Sequence, residues 1–198
     1  MSFPTTIKPS SISVASNRPN TIFYTLSGKR SINQFASQYF TLTVNMPLMT
    51  NASFQEYKAF LISKKGGFST FTFEYPVDNE GADKSNTSVA ARSAHSIGDT
   101  TIDCDGFSAS TTDALKAGDF IKFNSHNKVY TVVSDVDSNS GGEGTITIEP
   151  PLQAAVADNE AVDVNKPVFT VALNQDDVLY TTSASNLYTL SFEIREVI

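Results

Sequence analysis

Apolar and polar side chains alternate without a break along residues 39–46, where Phe40, Leu42, Val44 and Met46 interleave with Thr41, Thr43 and Asn45. A repeat of two places the sets on opposite faces of an extended chain, so this segment predicts a strand with one buried and one wet face. Pro47 ends the pairing, since it has no amide to donate. Upstream, residues 21–26 and 30–35 flank Ser27-Gly28-Lys29 and predict a hairpin, for three antiparallel strands in all. The carboxy-terminal end shows the clearest alternation, with Tyr188, Leu190, Phe192 and Ile194 set against Thr189, Ser191, Glu193 and Arg195. Its apolar face needs a sheet to cover. The amino-terminal strands match it in character, so the chain is expected to leave its first domain and return to it at the end.

From Ser53 the period changes. Phe54, Tyr57, Phe60 and Leu61 stand three or four apart, on one stripe of a helix expected at about residues 51–65. Ser53 and Glu56 have capping-box spacing, Lys64 and Lys65 suit the negative end of the helix dipole, and Gly66-Gly67 can adopt the left-handed conformation that terminates it. Phe71, Phe73 and Tyr75 then alternate with Thr70, Thr72 and Glu74 as another strand, closed by Pro76.

Charge separates the middle of the chain from its ends. Residues 77–165 carry 15 acidic and 5 basic side chains, a net of −10, whereas the remainder carries 6 acidic and 9 basic, a net of +3. The middle opens on a polar stretch, residues 78–86, that reads as a linker. Short strands are expected at 101–103, 119–123, 128–136 and 145–148, separated by Gly, Asn, Asp and Ser turns. The expected architecture is mostly β: a β-sandwich with one flanking helix, built from residues 1–85 and 166–198, and a small β domain inserted at 86–165.

Of the 198 residues, 40% are hydrophobic and 18% charged, against about a quarter charged in ordinary soluble chains. Ser, Thr and Asn fill the difference, as suits a β protein packed against neighbours. The net charge of −7 argues against binding nucleic acid by phosphate neutralisation. The single cysteine, Cys104, excludes an intramolecular disulfide and gives no sign of an oxidising compartment. The amino terminus has neither a basic segment nor an apolar run, and no stretch of about 18 apolar residues occurs. Neither a secretion signal nor a membrane span is expected.

Candidate chemistry is sparse. The two histidines, His95 and His126, lie in no recognisable triad pattern, and His95 is expected in an exposed loop. Asp103 and Asp105 flank Cys104 and would raise the pKa of its thiol, weakening it as a nucleophile. Asp135, Asp137 and Asn139 alternate like the opening of a calcium loop, but Ser140 stands where that loop needs Gly and Ile146 where it needs a carboxylate. A hairpin connection explains them more simply. Gly66-Gly67 follows a helix instead of opening one, so no phosphate cradle is expected. The strand of Phe71, Phe73 and Tyr75 lacks the flanking cations of a base-stacking platform. Catalytic, cofactor and metal residues are therefore all expected to be none, and the chain is expected not to be an enzyme.

Two stretches resemble bacteriophage tail proteins. One is Tyr39-Phe40-Thr41-Leu42-Thr43-Val44, Pro47-Leu48-Met49-Thr50, the helix to Phe60-Leu61, then Gly66-Gly67-Phe68 and Phe71-Thr72-Phe73. The other is Leu115-Lys116-Ala117-Gly118-Asp119-Phe120-Ile121, Lys128-Val129-Tyr130-Thr131-Val132 and Ile146-Thr147-Ile148-Glu149-Pro150-Pro151-Leu152. Together they are similar to the distal tail, or tail-tip, family. That resemblance implies a tail-tube-like β-sandwich in a sixfold ring at the end of the tail tube, with an inserted β domain projecting outward. It implies as partners further copies of the chain, the tail tube protein, and tail hub or fibre proteins; no specific nucleic-acid binding and no membrane insertion are expected. The location implied is the virion tail tip, after synthesis in the host cytoplasm. Two alternatives stay open: a tail tube or tail-completion protein, and a carbohydrate-binding accessory module in the insertion, whose aromatic residues Phe107, Phe120, Phe123 and Tyr130 are nevertheless expected in its core.

Overall fold

A computed structural model describes residues 2–34 and 37–198 of the chain. The fold is mostly β with a single α-helix, the class that the alternation predicts. It divides into two compact units, one made of Phe3–Phe71 and Val171–Val197, the other built on Thr72–Thr170.

The main sheet, most of which lies in the first unit, has its strands in the order β1 (Ser11–Asn17), β4 (Tyr39–Asn45), β15 (Leu187–Glu196), β13 (Val168–Leu173) and β6 (Phe71–Glu74). The short strands β5 (Met49–Thr50) and β14 (Tyr180–Thr182) pair with the first half of β15. The last strand does return to the amino-terminal ones, with Phe192 opposite Val44 and Ile194 opposite Leu42. The hairpin also forms, between β2 (Asn20–Tyr24) and β3 (Arg30–Gln34); Phe35, at the expected end of its second strand, lies outside the described residues. The expected three-stranded arrangement does not form. Instead of β3, β4 pairs with β1 along all seven residues of each.

One face of the sheet is buried, through Phe40, Leu42, Val44, Phe71, Val171, Leu190, Phe192 and Ile194. Helix α1 (Asn51–Ser63) covers it with the predicted stripe of Phe54, Tyr57, Phe60 and Leu61. Phe3 inserts between helix and sheet, its ring centroid 5.6 Å from Phe60 and 5.4 Å from Phe192. Tyr57 ties the amino-terminal segment down, its hydroxyl accepting from the Ile7 amide at 2.6 Å and donating to the Ile7 carbonyl at 3.0 Å.

The helix ends differ from the predicted caps. The N-cap is Thr50, without a side-chain cap bond, so Ser53 lies inside the first turn. Its expected capping-box partner Glu56 is engaged elsewhere, accepting from the Thr6 hydroxyl at 3.2 Å. At the other end Lys64 is buried with its ammonium 4.6 Å from the Phe60 ring centroid. The left-handed turn falls on Lys65 (φ 53°) and Gly66 (φ 65°). Gly67 serves a different need: a Cβ there would lie 2.8 Å from the Leu173 carbonyl.

The second unit is a six-stranded, nearly closed, barrel-like sheet in the order β12 (Val162–Asp163), β9 (Phe120–Phe123), β10 (Val129–Val132), β11 (Gly144–Glu149), β8 (Thr101–Asp105) and β7 (Ala90–Ala91). Its two ends meet where the Val162 amide donates to Val89 and the Ala91 amide to Glu160, each at 2.9 Å. Ile102, Cys104, Phe107, Ile121, Phe123, Tyr130, Ile146 and Val162 fill the interior. Gly106 is required on the wall: its φ is +80°, and a Cβ would stand 2.1 Å from the Ser88 carbonyl.

Residues 78–86 do not form the expected linker, and the unit accordingly begins at Thr72 and ends at Thr170 instead of spanning 86–165. Asn79 is buried, donating to the carbonyls of Phe120 (2.7 Å) and Val164 (2.8 Å) and accepting from the Phe120 amide (2.9 Å). Asp119 receives the amides of Glu80, Gly81 and Lys116 at 2.7 to 3.0 Å. Asn79 and the amides of Glu80 and Gly81 thus tie the stretch to the barrel, which composition alone does not distinguish from a solvated connection.

Two substitutions test these ties. Tyr57→Phe removes both bonds to Ile7 and is expected to cost about 1 to 3 kcal/mol in urea unfolding. Asn79→Ala strips three bonds from backbone groups of the barrel and is expected to cost about 2 to 4 kcal/mol by the same measurement.

Candidate assembly surfaces

The long edge of the main sheet is uncovered. β1 pairs with β4 on one side, and no strand pairs with its other side among the described residues. Its seven residues, Ser-Ile-Ser-Val-Ala-Ser-Asn, include no charge and no proline, the features that usually stop an edge from recruiting another strand. Val14, which faces the apolar side opposite Leu42, stays 36% exposed. The opposite, polar face carries Ser13, Ala15, Thr41, Thr43, Asn174 and Glu193 along a shallow groove of about 370 Å³. Its polar groups bond to one another: the Asn17 amide to the Thr41 hydroxyl at 2.8 Å, and the Ser191 hydroxyl to Asn45 Oδ1 at 2.7 Å.

The β2–β3 hairpin is the second such surface. Every residue of β2 is exposed, although Ile22, Phe23 and Tyr24 are strand residues that normally bury a face. Tyr24 is 72% exposed and Leu26, in the turn, wholly so. The turn is well built, with the Thr25 hydroxyl accepting the Lys29 amide at 3.0 Å and Gly28 at φ +76°. An isolated two-stranded hairpin is at best marginally stable in water. Ile22 lies opposite Ile32 and Tyr24 opposite Arg30, so one face carries two aliphatic groups, an aromatic ring and a cation.

The candidate chemical groups have other occupations. His126 is buried in the barrel, its Nδ1 2.9 Å from the Tyr130 hydroxyl and its Nε2 3.4 Å from the Ala155 carbonyl. His95 is not in a free loop, because its backbone exchanges hydrogen bonds with Val156 at 2.9 and 3.0 Å. The fold also brings Ser93 and Asp99 to it, a grouping that its sequence does not signal. Ser93 Oγ is 3.4 Å from Nε2, and Asp99 Oδ2 is 3.8 Å from Nδ1. Nε2 also accepts the Asp103 amide at 3.3 Å, so its lone pair is occupied and does not serve as a base toward Ser93.

The calcium-like oxygens diverge. Asp135 Oδ1 takes the Ala117 amide at 2.9 Å, Asp137 Oδ1 the Asp113 amide at 2.8 Å, and Asn139 Oδ1 the amides of Gly141 and Glu143 at 2.8 and 3.0 Å. They organise the connection between β10 and β11, which do pair. Cys104 sits within β8 and is fully buried, and burial, aided by Asp105 and Asp103, pushes its thiol up to about 12. Of the four insertion aromatics, Phe107, Phe123 and Tyr130 are buried in the barrel; Phe120 packs edge-on against Tyr75 and Phe169.

No protein-family model matches this chain, and no curated protein is significantly similar to it.

The raised thiol pKa leaves Cys104 protonated at neutral pH. At pH 8 in the folded protein, Ellman's reagent is expected to modify it about a thousandfold more slowly than an ordinary thiol, with full reactivity returning in denaturant. Rapid labelling of native protein would contradict its burial.

Proposed function

We propose that this chain is a structural subunit of a bacteriophage tail, forming a ring at the distal end of the tail tube that joins the tube to tail-tip or baseplate proteins and lets DNA pass. The observation that carries this reading is the pair of unsatisfied surfaces, the uncharged open edge of β1 and the exposed apolar hairpin β2–β3. Both lack a partner element among the described residues of one chain, and both suit contact with further copies. Two different, non-identical surfaces favour head-to-tail contacts, which close into a ring when the rotation allows. The resemblance to distal tail proteins in residues 39–73 and 115–152 names the assembly. The insertion of Thr72–Thr170 suits a tip ring better than a tube subunit, which has no need of an added domain.

The partners in this reading are copies of the chain, the tail tube protein, and tail hub or fibre proteins, and the role is not enzymatic. Nucleic acid passes without being held, since the net charge of −7 offers phosphate no general attraction. A glycan-binding role for the insertion draws no support from Phe107, Phe123 and Tyr130, which pack inside the barrel.

Light-scattering mass together with negative-stain imaging of the purified chain tests the reading. Closed rings of about six copies with a central channel are expected. A particle that stays monomeric at high concentration, with no ring on addition of tail tube protein, would overturn it.

A further inference from the structure

We propose that the β2–β3 hairpin of one copy docks on the acidic end of the barrel of a neighbouring copy. This inference rests on the ring reading and names the two surfaces that meet.

The hairpin offers a mixed face. Ile22 and Ile32 form an aliphatic pair, and Tyr24 lies opposite Arg30 beyond them; all four are exposed. Lys29 stands next in the turn, and residues 18–34 contain no carboxylate. A partner must therefore be acidic and supply some apolar area. The hairpin's own unit is a poor match, because Phe3–Phe71 and Val171–Val197 hold 5 acidic and 8 basic residues, a net of +3. The barrel unit holds 16 acidic and 6 basic residues, a net of −10, and charge of this size steers partners together and selects their orientation.

Within the barrel the complementary face lies where the β10–β11 connection meets residues 113–117. Asp135 and Asp137 are exposed, and each is held by an amide of that segment, from Ala117 and Asp113 respectively. Glu80 and Lys116 lie in the same field, and Lys116 is paired with Asp113 at 3.1 Å. The balance of this group stays acidic after that pairing. Val133, two residues before Asp135, is 48% exposed and adds apolar area. Because hydrogen bonds from backbone amides fix the two aspartates, docking needs little further ordering of them.

Complementary charge reversal tests this with the full-length chain. One variant carries Lys29→Glu and Arg30→Glu, and the other carries Asp135→Lys and Asp137→Lys. Each alone is expected to weaken self-association about tenfold or more at low salt, because like charges then meet at every contact. Mixed in equal amounts they are expected to recover assembly, since each hairpin meets a barrel of opposite sign. Circular dichroism and melting curves check that both variants fold, and Lys29→Gln with Arg30→Gln gives a milder version of the same loss.

Variants that assemble as well as the wild type, or a mixture of folded variants that stays dissociated, would overturn the docking while leaving the ring reading in place. A wild-type chain that never assembles overturns the ring reading itself. A low-salt gel shift with DNA that disappears in the hairpin variant would make nucleic acid the occupant and likewise overturn the proposal.

Discussion

The hydrogen bonding of β15 governs the architecture. This ten-residue strand pairs with β4 and β13 along its second half and with β5 and β14 along its first. Four strands thus depend on residues at the carboxy-terminal end, and the sheet begun by the first third of the chain is completed only there. Whatever lies between must leave the sheet and come back to it. The departure and return occur on β6 and β13, which are neighbours in the sheet order. The cost of closing a long loop grows only with the logarithm of its length, so a large insertion is tolerated if it folds on its own. The barrel is built in keeping with that condition, joining its two end strands through Val89, Ala91, Glu160 and Val162 and holding residues 79–81 through Asn79 and Asp119.

How much of this was legible in the sequence depends on what each signal encodes. Period-two alternation reports a buried face, so β4, β6 and β15 were plain, as was the helical stripe of α1. Alternation does not report which strand lies alongside. The pairing of β4 with β1 in place of β3 was therefore out of reach, and β1 itself has a weak pattern, with Ile12 and Val14 its sole large apolar residues. Capping signals failed because the side chains have rival partners: Glu56 holds Thr6, and Lys64 lies over Phe60. The stretch 78–86 has the composition of a linker, yet Asn79, Asp83 and Asn86 bond to backbone amides and carbonyls of the barrel.

The candidate surfaces show the same division. The hairpin could be read from two strand-like runs around Ser27-Gly28-Lys29, but its apolar residues read equally well as core. Their exposure became visible once the fold placed every residue of β2 at the surface. Asp135, Asp137 and Asn139 alternate like the opening of a metal loop but read more simply as a hairpin connection, and three-dimensional placement gives each its own backbone donors. The grouping of Ser93, His95 and Asp99 is a product of one local turn, with the histidine nitrogen already occupied by Asp103.

Among the described residues the outer edge of β1 and the β2–β3 hairpin have no partner element, and the proposed association would cover them. Amide hydrogen exchange followed across a range of protein concentrations measures that covering directly. Assembly predicts that the outward amides of Ser11–Asn17 and the amides of Asn20–Gln34 exchange quickly in dilute protein and slow by about tenfold or more as copies associate. Exchange in both segments that stays fast and independent of concentration, in protein whose mass shows it to be assembled, would contradict the claim that these surfaces build the ring.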